Sequence, residues 1–186
     1  MAKGTLKRIA GKLGITETVR TAIALAEAVS YSRQLRITHR HVSMENVLLN
    51  DADIPKLTNW GIGDTMRKLA RSDARRRYVS VYSTPEQVST EFGTPDWRTD
   101  VYQLGALLYE ALAGQTPFQG EEDILMRAIA GDSPRNPSEI NHDIPKRLDP
   151  VIIRCLAKRK EDRYQDAQTL KIELQKAAEA IRQDSG

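Results

Sequence analysis

Residues His39–Asn46 read HRHVSMEN and concentrate ionisable and amide side chains in one short segment. The segment follows a helical pattern and precedes the apolar run Val47–Leu49, which is typical of a short strand. A turn at Asn50–Asp53 and a second short strand at Lys56–Thr58 complete a small hairpin. The pattern therefore predicts a polar loop that leads into a β-hairpin, with Asn59–Gly61 directly after it.

Helical spacing of apolar residues precedes this loop. Leu6, Ile9 and Leu13 predict a short amphipathic helix that opens the chain. Thr16 is the predicted N-cap of a second, longer helix that ends near Gln34 or Leu35.

Helices also dominate after the loop. Thr99 is expected to cap a long helix that Gly114 ends, and Asp166 to cap the last helix. Shorter helices are predicted at Ile124–Ala130 and around Leu148–Leu156. We therefore expect a mainly α fold with one small β-hairpin, organised as a single domain over residues 1–186 with a long loop at 59–86.

Composition narrows the class of protein. The chain has 186 residues, of which 40% are hydrophobic, enough for a packed core. Apolar runs fall short of the roughly 20 residues of a membrane span, and residues 1–14 are basic without the apolar stretch of a secretory signal. Cys155 has no second cysteine with which to form an internal disulfide. We expect a cytoplasmic protein without a membrane partner.

The net charge of +3 is mild, but basic residues crowd one part of the long loop. A solvated loop is the default interpretation, docking to an acidic protein comes second, and nucleic-acid binding comes third. Nucleic acid is disfavoured because aromatic side chains for base stacking are absent there apart from Tyr78. The basic residues of this candidate interaction loop are Arg67, Lys68, Arg71, Arg75, Arg76 and Arg77.

Short motifs at characteristic spacings make the fold more specific. Together they resemble the carboxy-terminal lobe of a eukaryotic-type (Hanks-type) serine/threonine protein kinase, in the family's order, from about Gly4 to Ile181. In order they resemble the catalytic loop (His39–Leu49), the strand and metal motif (Lys56–Gly61), the end of the activation segment (Thr84–Glu86), the start of the central helix (Asp100–Gly105), the turn after it (Gly114–Phe118) and the run before the last helix (Asp162–Tyr164).

The resemblance implies a degenerate, pseudokinase-like lobe. A Gly-rich loop, a Val-Ala-Ile-Lys strand and a helix with its partner glutamate are not found before His39, so we expect the amino-terminal lobe to be absent. His41 stands at the position of the catalytic aspartate and Ser43 at that of a phosphate-contacting lysine. Asn46 keeps the second metal position, whereas Asn59 replaces the metal-binding aspartate. We expect no intact catalytic or metal site and no cofactor, and any binding of ATP with Mg²⁺ should be weak.

The remaining motif residues are architectural in the family that the chain resembles. Glu86 and Arg163 are expected to form an ion pair that is at least partly buried. Asp100 is expected to accept hydrogen bonds from the loop backbone, or to act as a first-turn carboxylate favoured by the helix dipole. His39 is expected to bond to backbone beneath the loop. The set is His39, Arg40, Gly61, Glu86, Asp100 and Arg163.

These features favour a catalytically impaired lobe that acts as a protein-binding or regulatory module. Its partner would be another protein or a second copy, bound through the face that the amino-terminal lobe leaves open. One alternative is a divergent serine/threonine phosphotransferase completed by a partner chain, with His41 as the base. Another is a nucleic-acid-associated adaptor that uses the arginine-rich loop.

Overall fold

The computed structural model describes residues 2–62 and 79–184. The candidate interaction loop with Arg67, Lys68, Arg71, Arg75, Arg76 and Arg77 lies outside these described residues. The strands are β1 (Ala2–Thr5), β2 (Val47–Asn50) and β3 (Pro55–Leu57). The helices are α1 (Leu6–Ile9), α2 (Ile15–Gln34), α3 (Pro85–Val88), α4 (Trp97–Ala113), α5 (Glu122–Gly131), α6 (Asp149–Cys155) and α7 (Ala167–Asp184).

The strands form an antiparallel sheet in the order β1-β2-β3. The predicted hairpin is present, with Val47 opposite Leu57. The predicted opening helix is present in part: β1 precedes it, α1 covers Leu6–Ile9, and a 3-10 helix at Ala10–Lys12 continues the helical turns as far as Leu13. β1 pairs with β2, placing Thr5 opposite Leu48. β1 is a strand because it pairs with residues far along the chain, and its own four residues show no alternation of large apolar and polar side chains. The sequence pattern therefore did not predict it.

The N-caps of two helices differ from those that the sequence suggested. α2 begins at Ile15 with Gly14 as its N-cap, and the Gly14 N–H donates to Glu17 Oε2 at 2.9 Å, so Thr16 lies inside the helix. α4 has Asp96 as its N-cap, because the Asp96 carboxylate accepts the Arg98 N–H at 2.8 Å. The N-cap of each helix therefore lies two or three residues before the threonine that was predicted to cap it.

α4 is the central helix, with most of its residues buried. α2 packs against α4 and α7, and α6 packs against α4. The contact between α4 and α6 is close at Gly105, where an added Cβ would lie 2.3 Å from the Cβ of Cys155. Gly105 therefore sets the distance between these two helices.

A smaller apolar cluster lies beside the main core. Phe118 packs with Leu125, Ala128 and Ile129, the last three from α5. The half-buried residues Val79, Val81 and Val88 pack against it, which attaches the chain on both sides of Thr84–Glu86 to α5. We call this group the α5 cluster. Within residues 2–62 and 79–184, no helix combines the length and apolar character needed to cross a membrane.

Candidate functional site

Side chains of α4 hold the backbone of the segment His39–Asn46. The Asp100 carboxylate accepts the backbone N–H groups of His39 at 2.8 Å and Arg40 at 2.6 Å. Asp100 is 1% exposed, and burial raises its pKa to about 7 although these two N–H groups oppose the rise. Gln103, which sequence reasoning missed, accepts the Val42 N–H at 2.9 Å and donates to the Arg40 carbonyl at 3.1 Å. Its position one turn after Asp100 was the signal that could have identified it.

His39 is held in one neutral tautomer. Its Nε2 lies 2.8 Å from the Thr58 carbonyl oxygen, and its Nδ1 accepts the His41 N–H at 3.2 Å. A carbonyl oxygen can only accept, so Nε2 carries the proton and Nδ1 is the unprotonated nitrogen. Burial lowers the pKa of His39, which agrees with this assignment. His39 therefore joins the loop to the strand end and does not carry a mobile proton at neutral pH.

Asn46 and Asn59 are joined by a chain of amide hydrogen bonds. Asn46 Nδ2 donates to the His41 carbonyl oxygen at 2.8 Å, which fixes the orientation of the Asn46 amide. Its Oδ1 then faces Asn59, whose Nδ2 donates to it at 2.7 Å. Asn59 reaches this position with a left-handed backbone at φ 65°, a conformation that asparagine tolerates better than most residues. The two positions that the resemblance assigns to metal binding therefore bind each other.

The donor set at this position does not suit Mg²⁺. Magnesium prefers carboxylate and water oxygens in octahedral geometry, and here a neutral amide presents its NH₂ group to the Asn46 oxygen. Within the described part of the chain, no group of three or more His, Cys, Asp or Glu side chains is arranged to hold a metal ion. Asn46 Oδ1 could serve as a metal ligand if Asn59 turned away from it.

His41 and Ser43 lie in the same loop with different exposure. His41 is half-buried, and burial lowers the pKa of its imidazole while the charge of Glu45 opposes the change. His41 is therefore neutral at pH 7 and has the protonation state of a base. Ser43 is 3% exposed, so it occupies the lysine position of the resemblance without facing the solvent.

Glu86 and Arg163 form a fully buried ion pair. Arg163 Nη1 and Nη2 donate to the two Glu86 carboxylate oxygens at 2.8 Å each, and both side chains are 0% exposed. The Thr99 hydroxyl donates to Glu86 Oε1 at 2.8 Å. Burial raises the pKa of Glu86, but the hydrogen bonds and charge of Arg163 outweigh it and hold the pKa below its usual range. This pair ties α3 to the turn that precedes α7.

Two further motif residues have left-handed backbones. Arg40 has φ 60° and accepts a hydrogen bond from Gln87 Nε2 at its carbonyl oxygen, 3.0 Å away. Gly61 has φ 81° and is exposed, directly after Trp60. The Arg40 conformation is unusual for a residue with a Cβ, and the bonds to Asp100 and Gln103 maintain it.

Several large apolar side chains that precede or follow the loop in sequence are exposed. Tyr31 and Leu35 lie one turn apart at the end of α2, Ile37 lies two residues before His39, and the Trp60 ring contacts His39 with centroids 4.6 Å apart. Their exposed fractions range from 37% for Ile62 to 61% for Tyr31. We call this set the upper face: Tyr31, Leu35, Ile37, Ile54, Trp60 and Ile62.

Comparison with known proteins gives one consistent result. The sequence profile of the family described as protein tyrosine and serine/threonine kinase matches residues 2–172. A probable serine/threonine-protein kinase of Clostridium acetobutylicum is 33% identical over 181 residues, which cover 94% of this chain and 27% of the relative. Serine/threonine-protein kinase PknB of Mycolicibacterium smegmatis is 32% identical over 152 residues, covering 80% of this chain and 24% of the relative.

PknB of Mycobacterium tuberculosis is 31% identical over 152 residues, again 80% of this chain and 24% of the relative. The chain thus spans about a quarter of the length of these curated relatives. The profile match covers most of the helical fold, the loop held by Asp100 and the buried pair Glu86–Arg163. The chain therefore belongs to the protein tyrosine and serine/threonine kinase family.

Proposed function

We propose that this chain is a catalytically impaired kinase lobe that acts as a protein-binding or regulatory module. The observation that carries the proposal is the hydrogen bond of 2.7 Å from Asn59 Nδ2 to Asn46 Oδ1. In kinases the corresponding aspartate and asparagine hold the Mg²⁺ ions that neutralise the transferred phosphate. Here the NH₂ group of Asn59 lies where a cation would have to approach Asn46.

Asparagine and aspartate are nearly the same size, so the important effect of asparagine at position 59 is the loss of a negative charge. Phosphoryl transfer relies on positioning and on electrostatic stabilisation by metal, so the loss of the carboxylate at position 59 removes negative charge from the metal site. Displacing Asn59 also costs the hydrogen bond to Asn46 before any ligand bond forms. Both effects weaken Mg²⁺ binding in the same direction.

The upper face supports the binding part of the proposal. Tyr31, Leu35 and Trp60 are large apolar side chains that remain exposed, and the Trp60 ring contacts His39 of the loop. Exposed apolar side chains that form one patch commonly mark a protein-binding site. We propose that a partner protein covers this face, and that exchanging Leu35 for glutamate abolishes its binding.

A second candidate function is phosphotransfer completed by another chain. It is favoured by the neutral imidazole of His41, which is suited to accept a proton at pH 7, and by relatives named as serine/threonine-protein kinases. In that mechanism His41 takes the proton of the substrate hydroxyl. Transfer of labelled phosphate from ATP that disappears in His41→Ala would favour this candidate.

A thermal-shift experiment with ATP and Mg²⁺ tests the leading proposal. We expect millimolar ATP with Mg²⁺ to leave the melting temperature of the chain unchanged, because the Asn59 amide excludes the metal. In Asn59→Asp two oxygen atoms face each other, and Mg²⁺ should then raise the melting temperature. Asn59→Ala is the matched control, since it removes the hydrogen bond without adding a carboxylate. A large Mg²⁺-dependent shift with ATP in the unaltered chain would reject the proposal.

A further inference from the structure

Side chains from two distant segments meet at one carboxylate of α4. Lys7 Nζ in α1 donates to Glu110 Oε1, and the Tyr82 hydroxyl donates to Glu110 Oε2. The Glu110 side chain is 9% exposed and that of Lys7 is 47% exposed. Tyr82 is 3% exposed. One oxygen of the Glu110 carboxylate therefore accepts a hydrogen bond from α1, and the other accepts one from the segment that leads into α3.

The protonation states of these partners are stable around neutral pH. The hydrogen bond with Glu110 raises the pKa of Lys7, burial opposes this, and the charges of Glu110 and Glu45 add to the rise. Burial, followed by the hydrogen bond with Glu110, raises the pKa of Tyr82 far above its usual value. Lys7 is thus always a cation and Tyr82 always a hydroxyl donor near pH 7, so occupancy of the contact depends on where α1 lies.

Tyr82 belongs to a compact turn. The Ser83 N–H donates to the Ser80 carbonyl and the Ser80 N–H donates to Ser83 Oγ, both at 2.9 Å. Val79 and Val81 attach this part of the chain to the α5 cluster, and Thr84 begins the capping box of α3 directly after it. The contact with Glu110 therefore holds the Ser80–Ser83 turn, which lies near the end of the activation-segment-like loop at 59–86.

We propose that Lys7 is a latch that keeps this turn closed by neutralising Glu110. With Lys7 in place, the Glu110 carboxylate is neutralised by an ion pair, so hydration would stabilise it little further. With Lys7 withdrawn, the carboxylate is a buried charge with one neutral donor, a costly arrangement that hydration relieves. Opening of the Ser80–Ser83 turn supplies that hydration, because Tyr82 covers Glu110 on that side.

The input to the latch is the amino-terminal strand. β1 runs directly into α1 and lies at the edge of the sheet, paired with β2. A partner that binds or displaces β1 moves Lys7 and thereby releases the end of the activation-segment-like loop, although the two regions are far apart in sequence. The device does not depend on metal or nucleotide, so it stands independently of the proposed lack of phosphotransfer.

Amide hydrogen exchange of Lys7→Met tests the latch. We expect the hydrogen-bonded amides of Ser80, Tyr82 and Ser83 to exchange about tenfold faster, the size expected when a charge-assisted hydrogen bond to a buried group is lost. Amides of α7 should keep their rates. Lys7→Arg keeps the charge and should stay close to the unaltered chain, and Lys12→Met is the control for loss of an exposed lysine nearby.

A double variant separates the latch from a general loss of stability. In a Glu110→Gln background the buried negative charge that Lys7 neutralises is absent, so the additional Lys7→Met change should accelerate exchange at Ser80–Ser83 little further. Unchanged exchange of the turn in Lys7→Met would overturn the proposal. Equal acceleration throughout the chain, α7 included, would also overturn it, because Lys7 would then contribute only to overall stability.

Discussion

The nitrogen Nδ2 of Asn59 differs from a carboxylate oxygen by one charge and two hydrogens, and this difference changes what the position attracts. A carboxylate beside Asn46 Oδ1 would place two acceptors together, an arrangement that favours a shared cation or a bridging donor between them. The amide instead satisfies Asn46 directly at 2.7 Å. The substitution itself is visible in the sequence, but the direct bond is not, since it depends on the left-handed backbone of Asn59 and on the Asn46 orientation set by the His41 carbonyl.

Removal of the Arg163 charge should be severely destabilising. Arg163→Met leaves the Glu86 carboxylate buried without its cation, and breaking a buried pair on one side costs about 3–5 kcal/mol. Urea unfolding measures the loss. Lys176→Met is the matched control, because Lys176 pairs with Glu173 on the surface and its loss should cost under about 1 kcal/mol. A loss for Arg163→Met as small as that of the control would show that the pair adds nothing to stability.

The same pair should make stability fall in acid. Arg163 holds the folded-state pKa of Glu86 below its ordinary value of 4.5, so the unfolded chain binds the proton more readily. Stability from this group is therefore present above about pH 4.5 and is lost as pH falls through the lower folded-state pKa. Unfolding midpoints between pH 3 and 7 measure this, with Glu86→Gln as the comparison. The variant should show a shallower decline, and identical slopes would contradict the assignment.

At the scale of elements, local patterns predicted the helices better than the sheet. α4 ends at Gly114 with φ 75°, as the glycine suggested, and Asp166 accepts the Thr169 N–H at 2.7 Å at the start of α7. These features are set by residues within one turn of each other. β1 was missed because Ala2–Thr5 has a weak strand pattern of its own and is a strand only through its pairing with β2.

The close approach of α4 and α6 at Gly105 should make this position sensitive to substitution. Gly105→Ala should destabilise the fold by about 1–3 kcal/mol, because its Cβ would lie 2.3 Å from the Cys155 Cβ and α4 and α6 would have to separate. Cys155→Gly should recover part of the loss, whereas Cys155→Ser keeps the Cβ and should not. Gly131→Ala is the control, since a Cβ there meets no atom within 4 Å. Equal changes in melting temperature for Gly105→Ala and Gly131→Ala would contradict this prediction.

For the whole molecule, one core connects the sheet with the last helix. Val47 and Leu49 of β2, Leu25 of α2 and Leu174 of α7 belong to the same buried cluster, with Tyr102 of α4 among them. Packing that crosses elements in this way favours cooperative unfolding, because no element can lose its contacts alone. The prediction of a single domain over residues 1–186 therefore also predicts that the chain unfolds in one cooperative transition.

Single-tryptophan variants test that cooperativity. Trp60 reports on the hairpin, since its Nε1 donates to the Leu57 carbonyl at 2.9 Å, and Trp97 reports on the start of α4, since its Nε1 donates to the Gln165 carbonyl at 2.9 Å. In urea, Trp60→Phe and Trp97→Phe should each show one fluorescence transition that coincides with loss of helical circular dichroism in the same variant. If the signal of Trp60 changed at lower urea than the helix signal, the hairpin and its loop would unfold separately, and the region held by Asp100 would be a distinct unit that a partner could reorder without disturbing the helices.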